Sequence, residues 1–253
     1  GSGLYLHGNG SIDNSLLQGN TGGTGALTIS ENNITVRNTA IVDNHSTDGY
    51  AGGIWAQCTT NLLLENVIIA GNSAREGGGI GLECSGAGMT LVNTAVVGNT
   101  ASLNGGGINC DDEAMSLTLT NCVIAHNTAG TGGGIWAYPS FLNDLTEDFS
   151  NNAFWNNTPG HFYEVDDPIG LDGNLEVDPM FLDYDPLNPP EDWDLHLDLM
   201  SSLIDAGDPA VLDPDGSFSD IGAYGGEYPD LYDLDRDGYP EWWQPGDYDH
   251  GTY

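Results

Sequence analysis

The sequence predicts an all-β chain wound into a parallel β-helix of roughly six coils, followed by an irregular, acidic C-terminal cap and tail. A Gly-Gly-Ile step recurs at intervals of 26, 28 and 27 residues, at 52–54, 78–80, 106–108 and 133–135. Two columns of Asn recur with nearly the same period, and no stretch shows the 3.6-residue apolar period of a long helix. A fixed period of this size is the signature of a repeat fold.

Each repeat is expected to contain three short strands joined by tight corners. Residues 117–120, Leu-Thr-Leu-Thr, illustrate the alternation of apolar and polar residues that is typical of a strand, and Gly, Asn and Ser bound such segments. If each repeat closes into one coil, successive coils rise by about 4.8 Å, the ordinary spacing of paired strands. Equivalent residues of successive repeats should therefore stack directly above one another.

The Asn columns follow from this stacking. An Asn at a corner tolerates left-handed backbone, and stacked amides can hydrogen-bond along the column. The Gly columns are expected at another corner, where φ is positive or backbones pack closely. The first Asn column comprises Asn38, Asn66, Asn93, Asn121 and Asn151, and the second, six positions later, comprises Asn44, Asn72, Asn99, Asn127 and Asn157.

The Gly-Gly-Ile step and the I/V/F-x-x-N motif together resemble the repeats of the polymorphic outer-membrane protein adhesins and related right-handed β-helix surface proteins. The motif stands at residues 41–44, 69–72, 96–99, 124–127 and 154–157. The resemblance covers about residues 1–160 and implies a right-handed parallel β-helix from a prokaryotic cell surface. It does not imply one activity, because such coils also form passenger domains and polysaccharide-degrading enzymes.

Composition limits the partners. The chain has no Lys and only three Arg against 38 acidic residues, which gives a net charge of −35. Phosphate binding requires clustered cations, so we expect neither a nucleic-acid partner nor an anionic membrane partner. No run of 18 apolar residues occurs, so we expect no membrane insertion. An extracellular or cell-surface location, where Ca²⁺ is available, suits this composition best.

Charge and motif divide the chain into three parts. Residues 1–160 are the predicted coils, 161–226 the last coil and C-terminal cap, and 227–253 an acidic, aromatic tail. Residues 202–226 resemble the segment that follows many bacterial extracellular β-helices. The open end of a β-helix is an exposed sheet edge that requires cover, so this segment is expected to close the last coil.

The cap contains five carboxylates interleaved with Gly and Pro, a pattern suited to Ca²⁺, which takes six to eight oxygen ligands in flexible geometry. The alternative is that these residues are turn formers, N-caps and solvated acids. The candidate ligands are Asp205, Asp208, Asp213, Asp215 and Asp220.

The tail contains the pattern D-x-D-x-D-G-x-x-E, which resembles the calcium loops of dockerin and thrombospondin type-3 repeats. The predicted ligands are Asp233, Asp235, Asp237, the carbonyl of Tyr239, and Glu241. Gln244 stands where an EF-hand has a bidentate Glu. The motif therefore predicts a structural Ca²⁺ clip rather than a sensor.

Enzymatic chemistry is not expected. A polysaccharide lyase of this fold needs a cation for proton abstraction, and the coils contain only Arg37 and Arg75. A hydrolase needs paired carboxylates, and residues 111–113 form the one acidic cluster on the coils. We expect no neighbouring coil to supply the matching Asp, the Gly-His-Gly or the Arg-x-Lys of a polygalacturonase. The six His residues share no ligand spacing, so no zinc site is expected.

Glycan binding remains an alternative, because Trp55 and Trp136 occupy equivalent repeat positions, with Gly81 and Asn109 between them. The two Trp residues would lie about 14 Å apart, too far for one continuous stacking platform.

The four Cys form two candidate pairs. Cys58 and Cys84 occupy equivalent positions of adjacent repeats and could form a disulfide, whereas Cys110 and Cys122 fall at inward positions. Buried thiols are the alternative for both pairs.

The function expected from these observations is a non-enzymatic, Ca²⁺-stabilised structural or adhesive module. Residues 4–6 already read as a strand, so we expect the chain to begin inside the repeat, with an open edge at its first coil. Such an edge is a template for another chain, and the tail could dock there and give head-to-tail self-association. Alternatively, the tail packs on its own cap. The second candidate function is a carbohydrate-binding or polysaccharide-degrading β-helix.

Overall fold

A computed structural model describes residues 3–30, 33–47, 49–58, 61–83, 86–112, 115–138 and 146–226. In this part of the chain the backbone winds as a stack of coils whose strands pair in parallel. The described residues form no α-helix, and one 3₁₀ turn, η1, spans Pro190–Asp192. The predicted parallel β-helix is therefore the observed architecture.

The strands of the first three coils are short, except for Gly10–Gln18, Asn33–Val42 and Asn61–Ala70, each of which continues through an Asn of the first Asn column or its equivalent, Asn14. The strands of these coils are β1 (Leu4–His7), β2 (Gly10–Gln18), β3 (Thr21–Gly22), β4 (Leu27–Ser30), β5 (Asn33–Val42), β6 (His45–Ser46), β7 (Ile54–Gln57), β8 (Asn61–Ala70) and β9 (Ser73–Ala74).

The later coils repeat this order. Their strands are β10 (Ile80–Glu83), β11 (Gly88–Val92), β12 (Ala95–Val97), β13 (Thr100–Ala101), β14 (Ile108–Cys110), β15 (Ser116–Thr120), β16 (Val123–Ala125), β17 (Ile135–Ala137), β18 (Thr146–Ser150), β19 (Ala153–Trp155), β20 (Phe162–Tyr163), β21 (Leu175–Glu176), β22 (Phe181–Asp183) and β23 (Asp194–Leu197).

Three parallel sheets run along the stack. The seven-stranded sheet has the order β1-β4-β7-β10-β14-β17-β20, which takes one strand from each coil in chain order. The ten-stranded sheet contains β2, β5, β8, β11, β12, β15, β16, β18, β19 and β21, and the four-stranded sheet has the order β13-β9-β6-β3. Among the strands of the described residues, β22 and β23 form the one antiparallel pair, and Leu212 and Phe218 form an isolated antiparallel bridge.

The register places equivalent repeat positions side by side. Ile80 of the second Gly-Gly-Ile step pairs with Ile54 on one side and with Ile108 on the other, and Ile108 pairs with Ile135. All four side chains are fully buried in the interior of the coils. Burying such a side chain contributes about 1.5–3 kcal/mol. The repeated Ile column thus stabilises every coil against its neighbours.

The first Gly of each Gly-Gly-Ile step allows backbones to pack closely. A Cβ added to Gly78 would lie 2.4 Å from the carbonyl oxygen of Gly106, and one added to Gly106 would lie 2.5 Å from that of Gly133. The positive φ expected at this corner belongs to the preceding residues, Gly77 and Gly105, at 60° and 62°.

The second Asn column, here called the ladder column, forms a continuous chain of amides inside the stack. The Asn72 Nδ2 donates to the Asn99 Oδ1 at 3.0 Å, and the Asn99 Nδ2 donates to the Asn127 Oδ1 at 3.0 Å. The same bond joins Asn44 to Asn72 and Asn127 to Asn157. Asn72, Asn99 and Asn127 are fully buried. The predicted amide ladder is confirmed for this column.

The first Asn column, here called the corner column, is left-handed, with φ between 43° and 56°. Its side chains do not continue the pattern of the ladder column. The Asn66 Nδ2 donates to the carbonyls of Ala223 and Gly225, and the Asn93 Nδ2 donates to the Ser219 Oγ. Within the column, the described residues show one amide contact, from the Asn121 Nδ2 to the Asn93 Oδ1 at 3.5 Å. The expectation of a continuous amide stack is therefore corrected for this column, whose side chains mainly hold the C-terminal part of the chain.

Residues 181–226, here called the lateral segment, run along the outside of the ten-stranded sheet. The apolar run after each corner Asn points alternately inward and outward, so every coil exposes an apolar strip on this face. The lateral segment buries it with Trp193, Leu195, Leu203, Ile221 and Ala223. The covered side chains are Ala40, Val42, Ile68, Ala70, Ala95, Val97, Val123, Ala125 and Ala153.

The end of the stack is closed by a shorter stretch. Val165 and Ile169 are partly buried against the interior core, and β21 pairs with β19. The sequence predicted that residues 202–226 close the last coil. In the structure, residues 181–226 instead pack on the outer apolar strip of the ten-stranded sheet.

Candidate functional site on the seven-stranded sheet

The outward face of the seven-stranded sheet carries two side-chain columns. Trp55, Gly81, Asn109 and Trp136 lie in register in one column. Glu83 and Asp111 lie in the next, since Leu82 pairs with Cys110 and the Asp111 N–H donates to the Leu82 carbonyl. Strand alternation turns these positions outward while Ile80, Leu82 and Ile108 fill the core.

A small cavity, here called the Trp55 cavity, lies where Gly81 interrupts the first column. The rings of Tyr50 and Trp55 form one wall, stacked with centroids 5.1 Å apart and planes 16° apart. The Trp55 Nε1 donates to the Glu83 Oε2 at 3.1 Å, which fixes the ring. The polar side chains that line the cavity are those of Glu76, Glu83, Asn109 and Asp111.

Asn109 stands out among these residues. Its side chain is 3% exposed, and its Oδ1 is buried without a hydrogen-bond partner. Leaving a buried acceptor unsatisfied costs about 1–3 kcal/mol. An arrangement of this kind favours a bound donor at the site.

The electrostatic environment of Asp111 is unfavourable to its charge. Burial, together with the nearby charges of Glu76, Glu83 and Asp112, raises the pKa of Asp111 to about 6. Arg75 offsets little of this negative charge, since its Nη2 lies 3.8 Å from the Glu76 Oε1 and its side chain is 65% exposed. The cavity is thus lined by three carboxylates that come from different parts of the chain, those of Glu76, Glu83 and Asp111.

This arrangement adds an acid that the sequence analysis did not consider. The sequence predicts that no neighbouring coil supplies the Asp that a polygalacturonase would pair with residues 111–113, and that stays a prediction. In the structure, Glu83 lies beside Asp111 on the adjacent strand, and Glu76 lines the same cavity. The spacing of 28 residues between Glu83 and Asp111 equals one repeat, which is the signal that could have shown the pairing. Residue 113 lies outside the described residues.

An aromatic cluster lies further along the same face. The rings of Trp136 and Tyr163 are parallel, with centroids 6.2 Å apart, and Tyr138 meets Trp136 edge to face at 6.4 Å. Trp136 is buried, whereas Tyr138 is 48% and Tyr163 39% exposed. The exposed Tyr rings leave an aromatic surface that can stack on a planar or sugar ring.

Three of the predicted calcium ligands in the cap lie close together. The Asp205 N–H donates to the Asp220 Oδ1 at 2.8 Å, and the Asp220 N–H donates to the Asp213 Oδ2 at 3.2 Å. Burial raises the pKa of Asp213 to about 6, and the charges of Asp220 and Asp215 also raise it, against the lowering effect of the Gly226 and Asp220 N–H groups. The carboxylates of Asp213 and Asp220 therefore act as acceptors within turns, and Asp205 contributes its N–H.

The other two cap ligands lie in separate turns. The Asp208 Oδ1 accepts from the Ala210 N–H, and the Asp215 Oδ1 accepts from the Ser217 N–H, each at 2.9 Å. In the described part of the chain, no group of three or more His, Cys, Asp or Glu side chains is placed to hold a metal ion. The cap calcium site stays a prediction.

The predicted calcium loop of the tail lies outside the described residues. This applies to Asp233, Asp235, Asp237, Tyr239 and Glu241, which all fall within 227–253.

The cysteines differ between the two candidate pairs. Cys58 is disulfide-bonded, and its predicted partner, Cys84, lies outside the described residues. Cys110 and Cys122 are buried thiols. The Cys122 Sγ donates to the carbonyls of Leu91 and Thr120, as the Thr94 hydroxyl one coil earlier donates to those of Leu64 and Val92. Cys122 therefore replaces a Thr within the repeat.

Residues 1–174 match the family described as the right-handed β-helix region, which is about two-thirds of the chain. The protein belongs to the right-handed β-helix family. This membership confirms the predicted handedness and fold class. No curated protein and no solved structure matches the chain. The resemblance to the polymorphic outer-membrane adhesins therefore stays a prediction.

The right-handed β-helix match ends before β21, so the lateral segment lies beyond it. No helix among the described residues is long and apolar enough to cross a membrane. Fold membership does not decide activity, since right-handed β-helix proteins include enzymes and non-enzymes.

Proposed function

We propose that this right-handed β-helix protein is a non-enzymatic structural and adhesive module that acts outside the cell. The observation that carries the proposal is the lateral segment, which is tied to successive coils from the outside. The Ala206 carbonyl accepts from Asn151, the Asp208 N–H donates to Asn121, and Gly225 accepts from Asn66. A stack held from inside by the ladder column and from outside by this segment is suited to act as a rigid support.

The extracellular location is supported by two features. Cys58 is disulfide-bonded, and disulfides persist mainly in oxidising compartments. The charge of −35 with no Lys keeps the protein soluble and away from nucleic acids and anionic membranes.

The adhesive part of the proposal assigns contact to the aromatic cluster at Trp136, Tyr138 and Tyr163. Retention of the protein on immobilised polysaccharides, measured by affinity electrophoresis, tests it. We expect retardation without release of sugar products, and Tyr138→Ser together with Tyr163→Ser should abolish the retardation. Leu187→Ser is the matched control, since Leu187 is 90% exposed in the lateral segment. Equal loss in the control would contradict the assignment.

Calcium belongs to the same proposal. Residues 161–253 carry 25 acids and one Arg, and an ion that binds only the folded state stabilises it by about 2.7 kcal/mol at 100 times its Kd. We expect a higher unfolding midpoint in millimolar Ca²⁺ than in EDTA, and Asp235→Asn should remove part of the difference. Asp166→Asn, an exposed position with the same change of charge, is the control. An unchanged midpoint in wild type would contradict calcium stabilisation.

Polysaccharide hydrolysis is the second candidate, favoured by one observation. Asp111, whose pKa is raised to about 6, lies beside Glu83, which is the type of pairing used by a general acid and a second carboxylate. Release of reducing ends from a polysaccharide, lost in Asp111→Asn and retained in Asp166→Asn, would establish this candidate and overturn the non-enzymatic proposal.

A further inference from the structure

The Trp55 cavity presents mainly hydrogen-bond acceptors. Its polar lining consists of the carboxylates of Glu76, Glu83 and Asp111 and the amide of Asn109. The indole N–H of Trp55 is already donated to Glu83. Arg75 lies outside the lining, and its Nη2 lies 3.8 Å from the Glu76 Oε1. A ligand that complements this surface must bring donors and positive charge.

Asn109 gives an independent indication of a ligand. Its side chain is buried in the lining, and its Oδ1 accepts no hydrogen bond. Its neighbours on β14, Ile108 and Cys110, are by contrast fully packed. A buried carbonyl oxygen in such a position requires a donor from a water molecule or a ligand. Because the acids lie around the same cavity, a donor that also carries positive charge satisfies both the Asn109 Oδ1 and the carboxylates.

The aromatic wall indicates the remainder of the ligand. Tyr50 and Trp55 stack beside the acids, and Tyr50 is 44% exposed, so the wall opens to solvent. A cation beside a Trp or Tyr ring is attracted by the negative ring face, and an apolar stem can lie along it. The site therefore combines a charged inner end with an amphipathic entrance.

We propose that the Trp55 cavity binds a protonated primary amine, whose ammonium group donates to the Asn109 Oδ1 and to the carboxylates of Asp111 and Glu83. The cavity has room for about one water-sized group, which suits a compact ammonium better than a planar guanidinium. The chain contains no Lys, so a lysine amine must come from another molecule. The apolar stem that fits along the aromatic wall assigns this amine to a Lys side chain of a partner protein. The amino group of a de-N-acetylated sugar has the same chemistry without that stem, and the test distinguishes the two.

Calorimetric titration at about 0.15 M salt distinguishes the sources and screens diffuse attraction to the acidic surface. The probes are the β-1,4-linked glucosamine dimer and the peptide acetyl-Gly-Lys-Gly-amide, each beside its N-acetylated counterpart. The peptide amine should bind about tenfold or more tightly than its acetylated counterpart. Binding of the sugar alone would overturn the assignment to a protein partner. Equal binding of the amine and acetylated forms would overturn the proposal.

Variants locate the binding. Asp111→Asn should weaken amine binding about tenfold or more, whereas Asp166→Asn, with the same change of net charge, should leave it within about twofold. Tyr50→Ser tests the aromatic wall at a residue outside the strands, and it should weaken amine binding several-fold. This variant keeps the proposal testable if Asp111→Asn proves unstable. Equal weakening in Asp166→Asn and Asp111→Asn would show a diffuse charge effect and overturn the assignment. This test is independent of the scaffold role proposed above.

Discussion

The ladder column and the corner column have the same residue type and nearly the same period, yet they stabilise the protein in different ways. Asn99 in the ladder column is buried, and its amide joins two neighbouring coils. Asn93 in the corner column has φ of 43° and directs its amide to the lateral segment. The difference shows that backbone conformation, which turns a side chain inward or outward, decides what an amide can bond.

The two columns also act over different ranges. A ladder amide bonds to residues about one repeat away, for example Asn99 to Asn127, so each contact is local to the stack. A corner amide bonds across 126 residues, from Asn93 to Ser219. The ladder column therefore stabilises the coils themselves, and the corner column fixes a separate part of the chain against them.

The largest expected effect comes from Asn99→Leu, which interrupts the ladder. The Asn72 N–H and the Ile69 carbonyl, both bonded to Asn99, would lose their partners inside the stack. Two unsatisfied buried groups predict a loss of about 4 kcal/mol in the free energy of unfolding. Urea unfolding followed by circular dichroism measures it. A loss under about 1 kcal/mol would show that the buried amides are not structural.

The second prediction concerns the cover that the corner column anchors. Trp193 is buried against the outer apolar strip, with its ring against Gly98, where an added Cβ would lie 2.6 Å from it. Trp193→Ala should cost about 3 kcal/mol. The same change should increase hydrogen exchange at residues 181–226 more than in the coils. Uniform exchange over both parts would contradict the separate role of the lateral segment.

The third prediction separates conformation from bonding at a corner. Asn93→Gly retains the left-handed backbone and removes the amide, so it should cost about 1–2 kcal/mol from the lost bonds to the lateral segment. Asn93→Ala should cost about 1 kcal/mol more, because Ala disfavours positive φ. Unfolding free energies of both variants measure the two contributions. Identical values for both variants would show that the positive φ imposes no cost.

The smallest expected effect on the free energy of unfolding comes from Asp111→Asn, on the outward face of the seven-stranded sheet. The folded-state pKa of Asp111 is raised from 3.8 to about 6, so its contribution to stability is full below about pH 3.8 and is lost as pH rises through about 6. After allowance for solvent screening, Asp111→Asn should stabilise the protein by about 1 kcal/mol near pH 8 and by almost nothing near pH 4.

Urea unfolding of wild type and Asp111→Asn at the two pH values measures this difference. Asp166→Asn controls for the change in net charge. A stabilisation that is the same at both pH values would contradict the raised pKa.

Part of the candidate site could be predicted from the sequence. The equivalent positions of Trp55, Gly81, Asn109 and Trp136 follow from the repeat period, and the structure confirms their register. The Tyr50 wall could not be predicted, because Tyr50 precedes the Gly-Gly-Ile step, outside the alternation that fixes side-chain direction. The contribution of Glu76 depends in the same way on a loop.

The lateral segment shows the same limit. Consecutive apolar residues such as those at 67–70 and 95–97 indicate a strand buried on both faces, so the sequence contained a sign that the outer face is covered. It did not identify the cover, because the contacts between Asn66 and Gly225 or between Gly98 and Trp193 join distant residues without any period.

The sequence by itself determined the parallel β-helix, its register and the buried ladder column, because a short period fixes which residues stack. Only the tertiary structure decided that the corner column bonds to the lateral segment and that Asp111, Glu83 and Asn109 share one cavity with Tyr50. The physical reason is that a repeat specifies contacts between neighbouring coils, whereas loops and the C-terminal segment find their places through non-periodic packing on surfaces that exist only once the coils have formed.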